Sequence, residues 1–241
     1  MTKLSVNVNK LATLRNSRGK NNPDVLKWVL DIISFGAEGI TVHPRPDGRH
    51  IRKEDVFAIA KSIQVELNIE GYPDADYLSL VKTIKPAQCT LVPDPPHVLT
   101  SNAGWKIEQN IDLLQKVVGD LHDNGIRTSL FIEPEHFTDR ECEFLEKTHA
   151  DRIELYTEAY ADSFGTPAFH DVLLLYKNVA DKVSAVGIEL NAGHDLNLDN
   201  LNQFIHEIPQ IKEVSIGHAL ICDALKYGMK ETILRYLTCL K

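Results

Sequence analysis

The feature that most constrains this chain is an alternation repeated eight times. A short apolar, β-rich run is followed each time by a longer amphipathic stretch. The runs fall at 4–9, 39–44, 67–70, 89–93, 128–133, 152–157, 186–192 and 214–217. The amphipathic stretches fall at 23–35, 53–63, 75–84, 106–124, 139–148, 167–183 and 198–206, and a last one reaches residue 240. Strands separated by helix-length connections pair in parallel. Eight such units, roughly 30 residues each, fit a closed (β/α)8 TIM barrel, expected as one catalytic domain over residues 1–241. An open doubly wound sheet is the alternative. It usually carries a glycine-rich turn after its first strand, and the first turn here has no GxGxxG.

Local chemistry supports the helix ends. Asn22-Pro23-Asp24 puts proline at a helix start. Phe35-Gly36 and Asn124-Gly125 end helices at residues that accept positive φ. The segments 94–105 and 159–166 read as long loops after strands 4 and 6. The strand interiors read as apolar.

Hydrophobic residues make up 43% of the chain and charged ones 25%, enough for a core and against disorder. The net charge of −8 opposes nucleic acid and anionic membranes as partners, yet leaves room for a local anion site. No secretory h-region or membrane-length apolar run appears, so a soluble, cytoplasmic protein is expected. Cys89, Cys142, Cys222 and Cys239 form no CxxC pair and read as buried free thiols.

Polar groups gather where the strands end: Asn7 to Lys10, His43 to Arg45, Glu70, Glu154 with Tyr156-Thr157, Asn191 to His194, and Gly217-His218. In a closed barrel these ends share one face, where barrel enzymes keep their catalytic groups. Taken singly, each has a plainer reading. His43 could bond a loop carbonyl, Glu70 could begin a solvated turn, and His194 could cap a turn. Glu154 lies between Ile153 and Leu155 and so points either into the barrel or into the helix layer. Together, two histidines and two glutamates on one rim suit general acid/base work near neutral pH. Gly217-His218 opens a helix beside the Asn191–His194 turn, a good anion position. Arg15, Arg18, Arg45, Arg49 and His50 form a second cationic group suited to phosphate.

These residues closely resemble the pyridoxine 5′-phosphate synthase family. The match runs through Asn7-Val8-Asn9, Ala12-Thr13-Leu14-Arg15-Asn16, Thr41-Val42-His43-Pro44-Arg45 and Asn68-Ile69-Glu70. It continues through Ile153-Glu154-Leu155, Asn191-Ala192-Gly193-His194 and Ile216-Gly217-His218-Ala219. The resemblance implies a barrel with extra helices and no cofactor or metal. It implies condensation of 1-deoxy-D-xylulose 5-phosphate with 3-amino-2-oxopropyl phosphate to pyridoxine 5′-phosphate, phosphate and water. The partners would be small phosphorylated molecules, and the assembly a homo-octamer, a tetramer of dimers.

Carried over by position, His43 matches the general base, Glu70 a second acid/base, His194 the proton donor and Glu154 a transition-state stabiliser. Asn7, Arg18, Gly217 and His218 match contacts to the aminoketone phosphate; Arg45, His50 and Thr100 match contacts to the deoxyxylulose phosphate. Asn9, Lys10 and Asp195 stand at substrate-binding positions but depart from the pattern, which has Asp-His at the first two and glycine at the third. Two other readings share these residues. One is a metal-dependent barrel isomerase or aldolase using Glu70, Glu154, His194 and His218. The other is a non-catalytic barrel that binds a B6 phosphate.

Overall fold

A computed structural model describes residues 1–93 and 103–241 of the protein. Eight parallel strands close into a barrel, each paired with its sequence neighbour and β8 pairing back to β1. The strands are β1 (Lys3–Asn7), β2 (Gly39–Val42), β3 (Glu66–Gly71), β4 (Gln88–Leu91), β5 (Arg127–Ile132), β6 (Arg152–Tyr156), β7 (Glu189–His194) and β8 (Ile211–Ile216). The open-sheet alternative is therefore excluded.

The helices are α1 (Asn9–Asn16), α2 (Val25–Ser34), α3 (Lys53–Ser62), α4 (Ala75–Ile84), α5 (Ile107–Asp123), α6 (Asp139–Thr148), α7 (Glu158–Ser163), α8 (Phe169–Ala185), α9 (Leu201–Glu207), α10 (His218–Tyr227) and α11 (Met229–Cys239). Three α-helices appear that the sequence periodicity did not separate. α1 is short and its exposed face hides the pattern. α7 occupies most of the segment expected as a loop at 159–166. The final stretch divides into α10 and α11 because Gly228 takes φ +79 and breaks the helix. The expected loop at 94–105 falls mainly outside the described residues.

Local capping fits the sequence. Asp24 accepts Lys27 N–H at 3.1 Å and starts α2, so Pro23 precedes the cap rather than entering the first turn. Asp74 does the same for α4, accepting Tyr77 N–H at 2.8 Å. Gly125 leaves α5 at φ +74, as expected.

One expectation about the strands is overturned. Their outward residues (Leu4, Val6, Ile40, Val42, Leu67, Ile69, Ile153, Leu155) are buried under the helices and form the apolar core. Their inward residues are polar. Side chains alternate along a strand, and each strand contributes one buried polar residue to the middle of the barrel: Ser5, Thr41, Asn68, Thr90, Ser129, Glu154, Asn191 and Ser215. Bonds across the interior show this directly. Ser5 Oγ meets Thr41 Oγ1 at 2.7 Å, and Gln88 on β4 meets Asn191 on β7 at 3.4 Å. An apolar reading of whole runs averaged two faces with opposite character.

Two of the four cysteines also differ from expectation. Cys89 and Cys142 are buried, but Cys222 is exposed and Cys239 half-buried; all four are free. No helix of the described residues is long and apolar enough to cross a membrane.

Candidate active site

The four acid/base candidates converge at the C-terminal mouth of the barrel. His43 follows β2 and is buried; Glu70 belongs to β3 and is buried, not a solvated turn residue. His43 Nδ1 lies 3.5 Å from Glu70 Oε2. Asn7 Nδ2, at the end of β1, approaches the same oxygen at 3.5 Å. Asn7 Oδ1 accepts the Asn9 N–H at 3.1 Å, and Asn9 Oδ1 accepts the His43 N–H at 3.0 Å. Asn7, Asn9, His43 and Glu70 thus form a closed circuit that fixes the imidazole against the carboxyl. An amide serves here, because only a neutral acceptor oxygen is needed to hold the His43 backbone.

Glu154 points inward from β6 at 2% exposure. Thr90 Oγ1 reaches it across the barrel at 3.3 Å. His194 ends β7 with φ +85, and its ring lies between Phe131 (centroids 5.1 Å) and Tyr156 (4.9 Å). Val92, Phe131 and Tyr156 form a small apolar cluster of their own at this rim. It gives the histidine a rigid, dry wall.

Electrostatics separate these groups from ordinary surface charges. Burial pushes the Glu70 carboxyl up to about 7, with His194 and Arg45 pulling against it. Burial also raises Glu154 well above the usual carboxylate range, and Glu70 and Glu213 raise it further, while the Thr90 hydroxyl opposes them. Both carboxyls are therefore poised to hold a proton near neutrality. Burial lowers His50 to about 3, helped by the positive charge of His43, Arg49 and Arg45. His50 Nδ1 accepts the Ile51 N–H at 3.0 Å, so the neutral ring carries its proton on Nε2.

The cationic loop after β2 is built from α1. Asn16 Nδ2 reaches the carbonyls of Gly48, Arg49 and His50 at 3.3, 3.2 and 2.8 Å. Arg15 forks onto Asp55 of α3 at 2.5 and 2.8 Å and also donates to His50 O at 3.3 Å. Arg15 is therefore a buried brace, which corrects its placement among the phosphate-binding arginines. Arg45 is buried beneath the same loop. A cavity of about 230 Å3 opens beside it, lined by His43, Arg45, Gly71, Tyr72 and Tyr77 among others.

The second anion position lies at β1, β8 and α10. A Cβ added at Gly217 would stand 3.1 Å from Asn7 Cβ, so the α10 start packs directly on the end of β1. Among the described residues no side chain caps α10. His218 opens this helix and is exposed, with Nε2 3.6 Å from Cys222 Sγ. Arg18 and Lys10 are exposed on and after α1. Asp195 is exposed at the rim and gives its backbone carbonyl to Asn200 Nδ2 at 3.3 Å. Its carboxyl is raised by partial desolvation and by Glu158 and Asp162, with His218 opposing. Thr100 lies outside the described residues. Among the described residues, no three His, Cys, Asp or Glu side chains are grouped so as to hold a metal ion.

Sequence reasoning missed Thr90, Asn68, Asn16 and the bracing role of Arg15. Thr90 and Asn68 were visible as polar residues at alternate positions in apolar strands.

Residues 4–241 match the family described as Pyridoxal phosphate biosynthesis protein PdxJ. The chain belongs to this PdxJ family. The pyridoxine 5′-phosphate synthase of Porphyromonas gingivalis is 52% identical over 98% of this chain and 98% of its own length. That of Cytophaga hutchinsonii is 50% identical over all of both chains. As a PdxJ member the chain is an enzyme of vitamin B6 biosynthesis. Among solved structures, phosphoribosyl anthranilate isomerase from Thermococcus kodakaraensis overlays with a TM-score of 0.64 at 9% identity, covering 100% of this chain and 99% of that one. That likeness concerns the barrel alone.

Proposed function

We propose that the rim carries out the pyridoxine 5′-phosphate synthase reaction by sharing proton transfers among four fixed groups. The overall reaction joins 1-deoxy-D-xylulose 5-phosphate to 3-amino-2-oxopropyl phosphate and releases water and one phosphate. Condensing an amine with a ketone forms a C=N bond and expels the carbonyl oxygen as water. Each stage needs a proton taken from nitrogen or carbon and another given to oxygen.

The observation that carries this reading is His43 Nδ1 set 3.5 Å from a Glu70 carboxyl raised to about 7. A base set beside a carboxyl that holds its proton up to neutrality can exchange protons with it. His43 acts as general base, and Glu70 alternates as acid and base beside it. His194, from the opposite strand and against an apolar wall, supplies the proton to the departing oxygen. Glu154 sits below them and offers a neutral carboxyl to developing negative charge.

The phosphates are assigned to two sides. Arg45 and His50 take the deoxyxylulose phosphate beside the cavity after β2, with Thr100 as the further contact that the resemblance implies. Asn7, Arg18, Gly217 and His218 take the aminoketone phosphate at the open start of α10. Asn9 holds the His43 backbone and offers its amide to substrate, Lys10 adds a cation nearby, and Asp195 contributes its backbone. The protein works as a cytoplasmic homo-octamer.

Purified protein given both substrates is expected to release phosphate and form a fluorescent pyridinol. His43→Ala is expected to lower kcat by about 10^3-fold with the fold intact. Near-normal turnover by that variant would refute the base assignment, and tight binding of the product without any turnover would favour a non-catalytic barrel.

A further inference from the structure

Glu154 receives a hydrogen bond from across the barrel, and its donor has two acceptors to serve. Thr90 Oγ1 on β4 lies 3.3 Å from Glu154 Oε2 and 3.1 Å from Asn68 Oδ1 on β3. Thr90 is fully buried. A hydroxyl has one proton to donate and two lone pairs with which to accept, so it cannot donate to both oxygens at once.

The charge on Glu154 decides between them. When Glu154 is protonated, its O–H donates to Thr90 Oγ1 and Thr90 donates onward to Asn68 Oδ1. When Glu154 is ionised, the Thr90 proton turns to Oε2 and the bond to Asn68 is given up. One torsion about the Thr90 side chain connects the two states. On the other side, a Cβ added at Gly193 would stand 2.5 Å from Glu154 Oε1. The carboxyl is therefore packed between a bare backbone and a rotatable hydroxyl, and cannot swing to find a different partner.

We propose that Thr90 is a positioning residue whose rotating hydroxyl gives Glu154 a partner in both protonation states, so that this buried carboxyl can change charge during turnover. The proposal rests on the reading of Glu154 as a working group. Without such a donor, a buried carboxylate is driven to its neutral form. Of the charged groups near it, Glu70 on β3 and Glu213 on β8 disfavour its charge, and Arg152 on its own strand pairs with Glu189 at 2.8 Å. His43 and His194 stand above it at the rim.

The test is steady-state kinetics across pH for the intact enzyme and for Thr90→Val, Thr90→Ser and Glu154→Gln. The limb of the kcat profile that disappears in Glu154→Gln identifies the Glu154 titration. Thr90→Val is expected to lower kcat by roughly tenfold or more, leave KM within about twofold, and move that limb to higher pH. Thr90→Ser is expected to restore both. Should Thr90→Val fail to fold, the comparison of Thr90→Ala with Thr90→Ser reads the same effect. If Glu154→Gln turns over normally, the underlying reading of Glu154 falls. If Glu154→Gln is impaired while the Thr90 variants keep the limb unmoved, or lose only KM, the present inference falls alone.

Discussion

Glu66 and Glu70 lie on one strand, separated by roughly 13 Å of β3, and their carboxyls are held in opposite states. At the lower end of the barrel, Lys3 Nζ meets Glu66 at 2.9 Å and Arg127 binds its other oxygen. Burial opposes its charge, yet these cations hold Glu66 down to about 2. At the upper end, burial carries Glu70 up to about 7 against the weaker pull of His194 and Arg45. The same side chain is a paired anion at one end and a carboxyl that holds its proton toward neutrality at the other. The difference lies in the hydrogen bonds from Lys3 and Arg127, which offset burial at Glu66.

Glu213 tests this rule between the extremes. It is buried, with Arg152 at 3.8 Å and out of direct contact, and it too rises to about 7. It lies toward the lower end of the barrel, where Glu66, Arg127 and Lys3 also act on it. Elevated affinity for a proton is therefore a consequence of burial without a strong cationic partner, and the proposed function assigns a role to it only at the rim.

The largest expected effect breaks the comparison at its upper end. Glu70→Gln and Glu154→Gln are each expected to lower kcat by about 10^2- to 10^4-fold, measured at saturating substrate with circular dichroism unchanged. The corresponding change at the lower end, Glu66→Gln, is expected to leave kcat within about threefold. It should instead lower stability by about 1–2 kcal/mol in urea unfolding, because it unpairs Arg127 in a half-buried setting.

Stability against pH sharpens the same contrast. The folded protein binds a proton at Glu70 up to about pH 7, whereas the unfolded chain releases it near 4.5. Between those values the folded state holds more protons, so the contribution of Glu70 is fully present below 4.5 and is lost as pH rises through 7. Glu70→Gln removes that loss. The variant is expected to be more stable than the parent by about 2 kcal/mol at alkaline pH, an inactive protein that unfolds later in urea. Glu66, depressed rather than raised, gives the reverse: its contribution is present above 4.5 and is lost as pH falls through 2.

Smaller effects are expected around the rim. Asn16→Ala frees three carbonyls of the loop carrying Arg45 and His50. It is expected to raise KM for the deoxyxylulose phosphate roughly tenfold with little change in kcat. Lys10→Ala, at an exposed position, is expected to change KM by less than about threefold and stability by less than about 0.5 kcal/mol.

Much of this was legible in the sequence because it depends on period. The eightfold alternation specified the barrel, and its strand ends indicated that His43, Glu70, Glu154 and His194 would gather in one part of it. What escaped depended on which face a residue takes. Thr41, Asn68, Thr90, Ser129 and Ser215 sit inside apolar runs, and only closure of the sheet decides that they share an interior. Arg15 looked like an anion ligand until α1 brought it onto Asp55. The helix α1 itself was hidden, since a short helix with three of its eight residues buried lacks a continuous apolar stripe. Asn9 looked like a loss of charge at a substrate position, and the fold gives it a second task, the His43 backbone.

The account turns on protonated carboxyls at the rim, and infrared difference spectroscopy of the C=O stretch reads them directly. At about pH 6, between the ordinary carboxylate range and the elevated one, the parent protein is expected to show protonated-carboxyl bands. Glu70→Gln and Glu154→Gln should each remove one component, and Glu66→Gln should remove none. Glu213, raised likewise, should leave a component that persists in both variants; a spectrum with no protonated carboxyl at that pH, or one from which neither rim substitution removes a component, would contradict the central claim.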